Sequence, residues 1–223
     1  KIAFLTCAMV FCTSQFSIAQ TAKPVPPKPA PKAAPTPFPS TGISERTYRN
    51  ADLSFEVTFP ETWQIAGDDF ESSLKTQGFD LSLKAPDGIG GASRIQMDRA
   101  LERVRLLVTA YKFIPGTKES SIIRISAEDL TLVPDVKVAV DYFDLMRSQF
   151  SRMKLPAGFT YSETQAEQLG RKQFGFIDTS SSSGKKRLYA TVKGRTAILI
   201  TISYTKDEDL QTLRRVLSQG TFR

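Results

Sequence analysis

Residues 187–220 read RLYATVKGRTAILITISYTKDEDLQTLRRVLSQG and carry the plainest structural signal in the chain. Residues 187–192 and 196–204 are two apolar, β-branched runs. Lys193-Gly194-Arg195 between them has the composition of a tight hairpin turn. A helix follows. Thr205, with Glu208 three residues on, predicts a capping box. Asp207, Glu208 and Asp209 suit the positive end of a helix dipole, and Arg214 and Arg215 the negative end. Leu210, Leu213, Val216 and Leu217 recur as one apolar stripe, and Gly220 is the expected terminator.

Working back from that hairpin, residues 161–169 and 174–179 read as further strands of a meander, with turns at Gly170 and Ser180-Ser181-Ser182-Ser183-Gly184. Pro134 and Asp135 are expected to open a second helix. Val136, Val140, Phe143, Met146 or Arg147, and Phe150 recur at helical spacing as far as about Met153. Residues 104–113 and 121–126 read as strands, separated by Pro115-Gly116, and residues 93–102 as a short helix. Near the start of the domain, Leu53, Phe55, Val57 and Phe59 alternate with Ser54, Glu56 and Thr58, a half-buried strand stopped by Pro60. The fold expected is α+β: an α/β/α sandwich with a mostly antiparallel sheet of about seven strands flanked by helices.

The 223 residues hold 30 Lys+Arg, 23 Asp+Glu and no His. Without imidazole, Ser-His-Asp and Cys-His catalysis and His-ligated metal sites are excluded. Four of the cations, Lys1, Lys23, Lys28 and Lys32, lie in the first 44 residues, which contain no acid. The rest of the chain therefore has nearly balanced, mixed charge, and no nucleic-acid partner is expected. Both cysteines, Cys7 and Cys12, also lie at the start.

Three segments follow. In residues 1–19, Lys1 precedes an apolar run, and Ser17-Ile18-Ala19 has small residues at −3 and −1, so a signal peptide cut before Gln20 is expected. The apolar run is shorter than a membrane span, so no transmembrane anchor is expected after cleavage. Residues 20–44 contain Pro24, Pro26, Pro27, Pro29, Pro31, Pro35, Pro37 and Pro39 and read as an extended, disordered linker. Residues 45–223 are the folded domain. The expected location is outside the cytosol, periplasmic or secreted.

Chemistry-bearing clusters are few. Asp68, Asp69 and Glu71, and Asp207 to Asp209, are carboxylate groups without calcium-loop spacing, and neither a metal nor a cofactor is expected. Ser180 to Ser183 with Lys185 is the nearest thing to a nucleophile and base, and is better read as a polar turn. Lys185, Lys186, Arg187, Lys193 and Arg195, near opposite ends of one strand, form a candidate binding surface for an anionic surface or a partner's acidic patch. Trp63 is read as a core residue, with ligand stacking as the alternative role.

Tyr48-Arg49-Asn50, the run Leu53-Ser54-Phe55-Glu56-Val57-Thr58-Phe59-Pro60, and Trp63 resemble the opening motif of the PsbP-like and DcrB-like proteins, a group that shares the fold of the Ran-binding Mog protein. The last strand pair and helix, from Leu188-Tyr189-Ala190-Thr191 to Thr221-Phe222, are similar to that group's ending. The resemblance spans residues 45–223 and implies an α/β/α sandwich with roles in assembly or binding. It carries over no catalytic residues. Ala51-Asp52 stand where the group usually has a Gly, and residues 70–102 form a long insertion. The function expected is an exported, non-enzymatic binding or assembly module with an envelope protein partner. The alternative is a small-ligand or lipid carrier with a pocket between sheet and helix. A hydrolase using Asp68, Asp69 and Glu71 alone is the remaining enzymatic reading.

Overall fold

The computed structural model describes residues 41–66, 95, 99–113, 121–152, 155, 158–182 and 184–223. The signal-peptide reading, most of the linker, the Asp68-Asp69-Glu71 cluster and the turns at residues 87–91 and 115–116 lie outside them.

Among the described residues two sheets are built. The strands in chain order are β1 (Thr41–Ser44), β2 (Thr47–Asn50), β3 (Phe55–Thr58), β4 (Gln64–Ala66), β5 (Val104–Tyr111) and β6 (Ile122–Asp129). After helix α1 (Ala139–Phe150) come β7 (Thr160–Tyr161), β8 (Gln165–Leu169), β9 (Lys172–Ser181), β10 (Gly184–Lys193) and β11 (Thr196–Tyr204). Helix α2 (Asp207–Ser218) and β12 (Thr221–Phe222) close the chain. The central sheet has eight strands in the order β4-β5-β6-β11-β10-β9-β7, with β8 also paired to β9. A separate four-stranded sheet runs β1-β2-β3-β12. Every pairing is antiparallel.

The α+β sandwich is therefore present, with a correction to its layers. One face of the central sheet is covered by α1. The other is covered by α2 together with the small sheet. The opening run 53–59 belongs to that small sheet, and only residues 55–58 of it are strand. β1 falls inside the span 20–44 read as linker and pairs with β2 from Thr41↔Asn50 to Ser44↔Thr47.

Several element ends differ from the expectation, each for a local reason. The first helix starts at Ala139 rather than at Pro134. Residues 133 and 136 make turn bonds instead, and the Asp141 carboxylate accepts the backbone N–H of Lys137 (2.9 Å) and Val138 (3.0 Å). Those two bonds hold Asp141 below the ordinary carboxylate range. Its buried face is consequently Tyr142, Phe143, Met146, Gln149 and Phe150, and Val140 points outward at 52% exposure. The last helix is capped at Lys206, without a side-chain cap bond, so the Thr205–Glu208 box is not formed. β9 continues through Ser181, which places Ser180 and Ser181 in the ladder opposite Lys185 and Gly184.

Against the small sheet the core is aromatic. Phe55, Phe222, Phe174 and Tyr189 form a chain of ring contacts, 5.8, 5.2 and 6.4 Å between successive centroids, that ties β3 and β12 to the central sheet. The layer under α1 is filled by Tyr142, Phe143, Met146 and Phe150, each 1% exposed or less. Gly175 on β9 lets the helix come close, because a Cβ there would lie 2.8 Å from that of Ala139.

The turn between β8 and β9 rests directly on the end of α2. Gly170 has φ +57°, and a Cβ there would sit 2.3 Å from the Gly220 carbonyl oxygen. Gly170→Ala combines left-handed strain with a backbone clash, and should lower unfolding free energy by about 2–4 kcal/mol in urea titration. A loss within error of zero would show that this turn does not bear on α2.

Candidate functional site

Strand alternation divides the five basic residues. Lys185, Arg187 and Lys193 leave β10 toward α2 and the small sheet, whereas Lys186 leaves toward the α1 face and is buried. Lys185 reaches Asp207 at 3.1 Å, at the start of α2. Lys193 donates to Ser54 Oγ at 2.7 Å and to the Asp52 carbonyl at 3.3 Å. Arg195 sits exposed in the β10–β11 turn, where its carbonyl accepts the Leu130 N–H. The five do not converge on one surface. Trp63 lies in the core, 4% exposed and 6.2 Å from the Phe59 ring, so it offers no open face to a ligand.

Arg187 enters a half-buried ion network. It holds Asp178 through two bonds of 2.7 Å and lies 4.1 Å over the Phe176 ring. Glu167 on β8 joins it at 3.3 Å, accepts the Tyr189 hydroxyl at 2.7 Å, and accepts Arg214 of α2 at 2.8 and 2.6 Å. Burial first, and then the Glu167 carboxylate, push the Tyr189 phenol well above its ordinary value of 10.0. Two guanidinium groups and two carboxylates balance here. The network clamps α2 to β8 and leaves no charge to offer a ligand.

An open cavity of about 430 Å³ lies at the small sheet. It is lined by Arg49, Asn50, Ala51, Ser54, Phe55, Glu56, Thr221 and Arg223. Arg49, Glu56 and Thr221 are cross-strand partners in one row of β2, β3 and β12, and this row faces outward. Arg49 Nε and Nη2 each stand 2.6 Å from Glu56 Oε2. Arg223 is a second basic residue on the cavity lining. The floor is fixed from below: Asn50 Oδ1 accepts the Leu53 N–H at 2.9 Å, and Asn50 Nδ2 donates to the Tyr48 hydroxyl at 3.2 Å. Ser54 is held in the left-handed region at φ +58°. Lys193 binds its hydroxyl, and the Arg223 N–H donates to its carbonyl at 3.1 Å. A non-glycine residue in this conformation persists where its surroundings over-determine it, and such residues concentrate at functional sites.

The acidic residues at α2 are used locally. Asp207 pairs with Lys185 and the buried Asp209 with Lys112. Among the described residues, no group of three or more metal-ligating side chains converges, and no helix is long and apolar enough to cross a membrane. Sequence reasoning missed Arg49, Glu56 and Arg223. The signal was available in part, because the seven-residue spacing of Arg49 and Glu56 makes them partners once residues 47–58 are read as a hairpin. It missed Glu167 and Arg214 as well, which only packing brings together.

No family model matches the chain, and no curated protein matches it. Among solved structures the chain is similar to the solution structure of cyanobacterial PsbP (CyanoP) from Synechocystis sp. PCC 6803. The identity is 11%, the alignment covers 84% of this chain and 98% of that chain, and the TM-score is 0.43.

The network has a pH signature. The folded state keeps Tyr189 protonated beyond the pH at which the unfolded chain loses that proton, so stability falls as pH rises past about 10. Tyr189→Phe should cost about 1 kcal/mol near neutral pH, and the gap to wild type should narrow by about pH 11. Urea titrations across that range are the check, and a constant gap would remove the phenol from the balance. Glu167→Gln should cost about 1–3 kcal/mol in the same measurement, since it leaves Arg214 and Arg187 short of their shared acceptor.

Proposed function

We propose that this chain is an exported, non-enzymatic binding or assembly module of the cell envelope or periplasm, and that the cavity on the small sheet receives an acidic segment of an envelope protein partner. The observation that carries the reading is the cavity wall itself. Two arginines and one carboxylate side chain line a polar, open groove, and a strained Ser54, held by Lys193, sets its shape. Charge complementarity of this kind sets partner choice and encounter rate more than bulk affinity.

The leader-like residues 1–19 and the proline-rich residues 20–40 support export and a spacer that holds the domain away from the surface it is released from. The complete lack of histidine favours holding over transforming. A lipid or small-ligand carrier calls for an apolar space between sheet and helix, whereas the layer under α1 is filled by side chains. The open groove on the small sheet is therefore the better-supported site.

Two measurements test this. N-terminal mapping of the protein from cell fractions of its own host should find Gln20 as the first residue, outside the cytosol. Crosslinking in intact cells should capture an envelope partner, and the double variant Arg49→Gln, Arg223→Gln should reduce capture roughly tenfold with Tm unchanged. An uncut cytoplasmic chain overturns the export reading, and undiminished capture by the double variant overturns the groove.

A further inference from the structure

The outer face of the small sheet can be followed row by row. One row runs Gly42, Arg49, Glu56 and Thr221 across β1, β2, β3 and β12. The bond from the Arg223 N–H to the Ser54 carbonyl carries the β12–β3 ladder one step further, so Arg223 and Ser54 stand in the next row. Residues of both rows line the open cavity of about 430 Å³. Gly42 leaves the β1 end of the first row clear, since nothing lies within 4 Å of where its Cβ would stand.

The two rows present different chemistry. Arg49 spends Nε and Nη2 on one oxygen of Glu56, Oε2, at 2.6 Å each. The pair remains accessible, with side chains 66% and 36% exposed. Beyond those two bonds it shows further guanidinium N–H groups and, in Glu56 Oε1, a carboxylate acceptor. It is therefore a neutral surface with a donor and an acceptor side by side. The next row carries the exposed guanidinium of Arg223.

A donor beside an acceptor matches a carboxamide, which has one of each. An exposed guanidinium matches a carboxylate. With strands ~4.8 Å apart and ~6.8 Å between like-facing residues, the Glu56 and Arg223 Cα atoms are about 8 Å apart. An extended peptide sets its alternate side chains ~6.8 Å apart on one face, so two of them suit the two rows.

On the reading of the groove as the docking site for an acidic segment, we propose that it recognises one carboxylate and one carboxamide two positions apart in an extended chain. The carboxylate lies on Arg223 and the carboxamide across the Arg49–Glu56 pair. Glu56 is the specificity-determining residue. Its charge repels a second carboxylate at that position, which separates an Asp-x-Asn pattern from a plain run of acids.

The test uses the full chain and end-blocked peptides carrying Asp-Ala-Asn, Asn-Ala-Asp or Asp-Ala-Asp. They are titrated at neutral pH and constant ionic strength, and followed by the backbone amide resonances of residues 49–56 and 221–223. In wild type, one of the two mixed peptides should bind about threefold more tightly than Asp-Ala-Asp. Glu56→Gln, an outward-facing change that should leave Tm unaltered, should erase or reverse that preference. Arg223→Gln should weaken the mixed peptide about fivefold. Lys185→Gln, at the far end of β10 from the Lys193 that meets Ser54, should leave its binding intact. Unmoved groove resonances, equal affinity for the three peptides in wild type, a preference that survives Glu56→Gln, or undiminished binding in Arg223→Gln would each overturn this recognition pattern. Partner capture in cells that still falls in the Arg49→Gln, Arg223→Gln variant confines such a failure to the pattern, and undiminished capture removes the groove and the pattern together.

Discussion

Ile200 and Leu199 leave β11 in opposite directions, and both are buried, at 0% and 5% exposure. That is the constraint from which the architecture follows. A central strand with two apolar faces needs two covers, and a period of two sends alternate residues to each. One cover is α1, seated on Leu188, Ala190, Ala197 and Leu199. The other combines α2 with the four-stranded sheet, seated on Tyr189, Ile198, Ile200 and Ile202. The small sheet has two roles at once: its inner side chains complete this second cover, and its outer side carries the polar groove.

The same alternation governs charge. Consecutive cations on one strand cannot act together unless they are two apart, so Lys185, Lys186 and Arg187 part company. One meets α2, one is buried on the opposite face, and one is neutralised by Asp178 and Glu167. A basic run in a strand is therefore a poor guide to a basic surface. The charge that remains available lies where residues distant in sequence meet. Arg49 and Arg223 come from opposite ends of the domain and share a sheet through the β12–β3 pairing.

Much of the fold was legible because local physics repeats along the chain. The run 196–204 was readable to its last residue, since five of its nine residues are Ala, Ile or Leu, the others being Thr, Ser and Tyr, and a glycine turn precedes it. The stripe of α2 was readable as well: Leu210, Leu213, Val216 and Leu217 all turn inward. Helix ends were less so. At α1 the Asp141 carboxylate competes for the backbone of Lys137 and Val138 and delays the helix to Ala139, a contest that composition does not report. Of the candidate site, Lys193 was named for its charge, and its contact with Ser54 on the groove wall is visible only in three dimensions.

By itself, the amino-acid order determined the β10–β11 hairpin, the last helix with its apolar stripe and the absence of imidazole chemistry, because these depend on residue type and spacing of a few positions. The tertiary structure alone decided that the first strands leave the main sheet, that Trp63 is enclosed, and that Arg49 and Glu56 meet Arg223 at one groove. Those outcomes depend on which distant surfaces meet, and pairing between residues as far apart as Phe55 and Phe222 leaves no periodic trace in the chain.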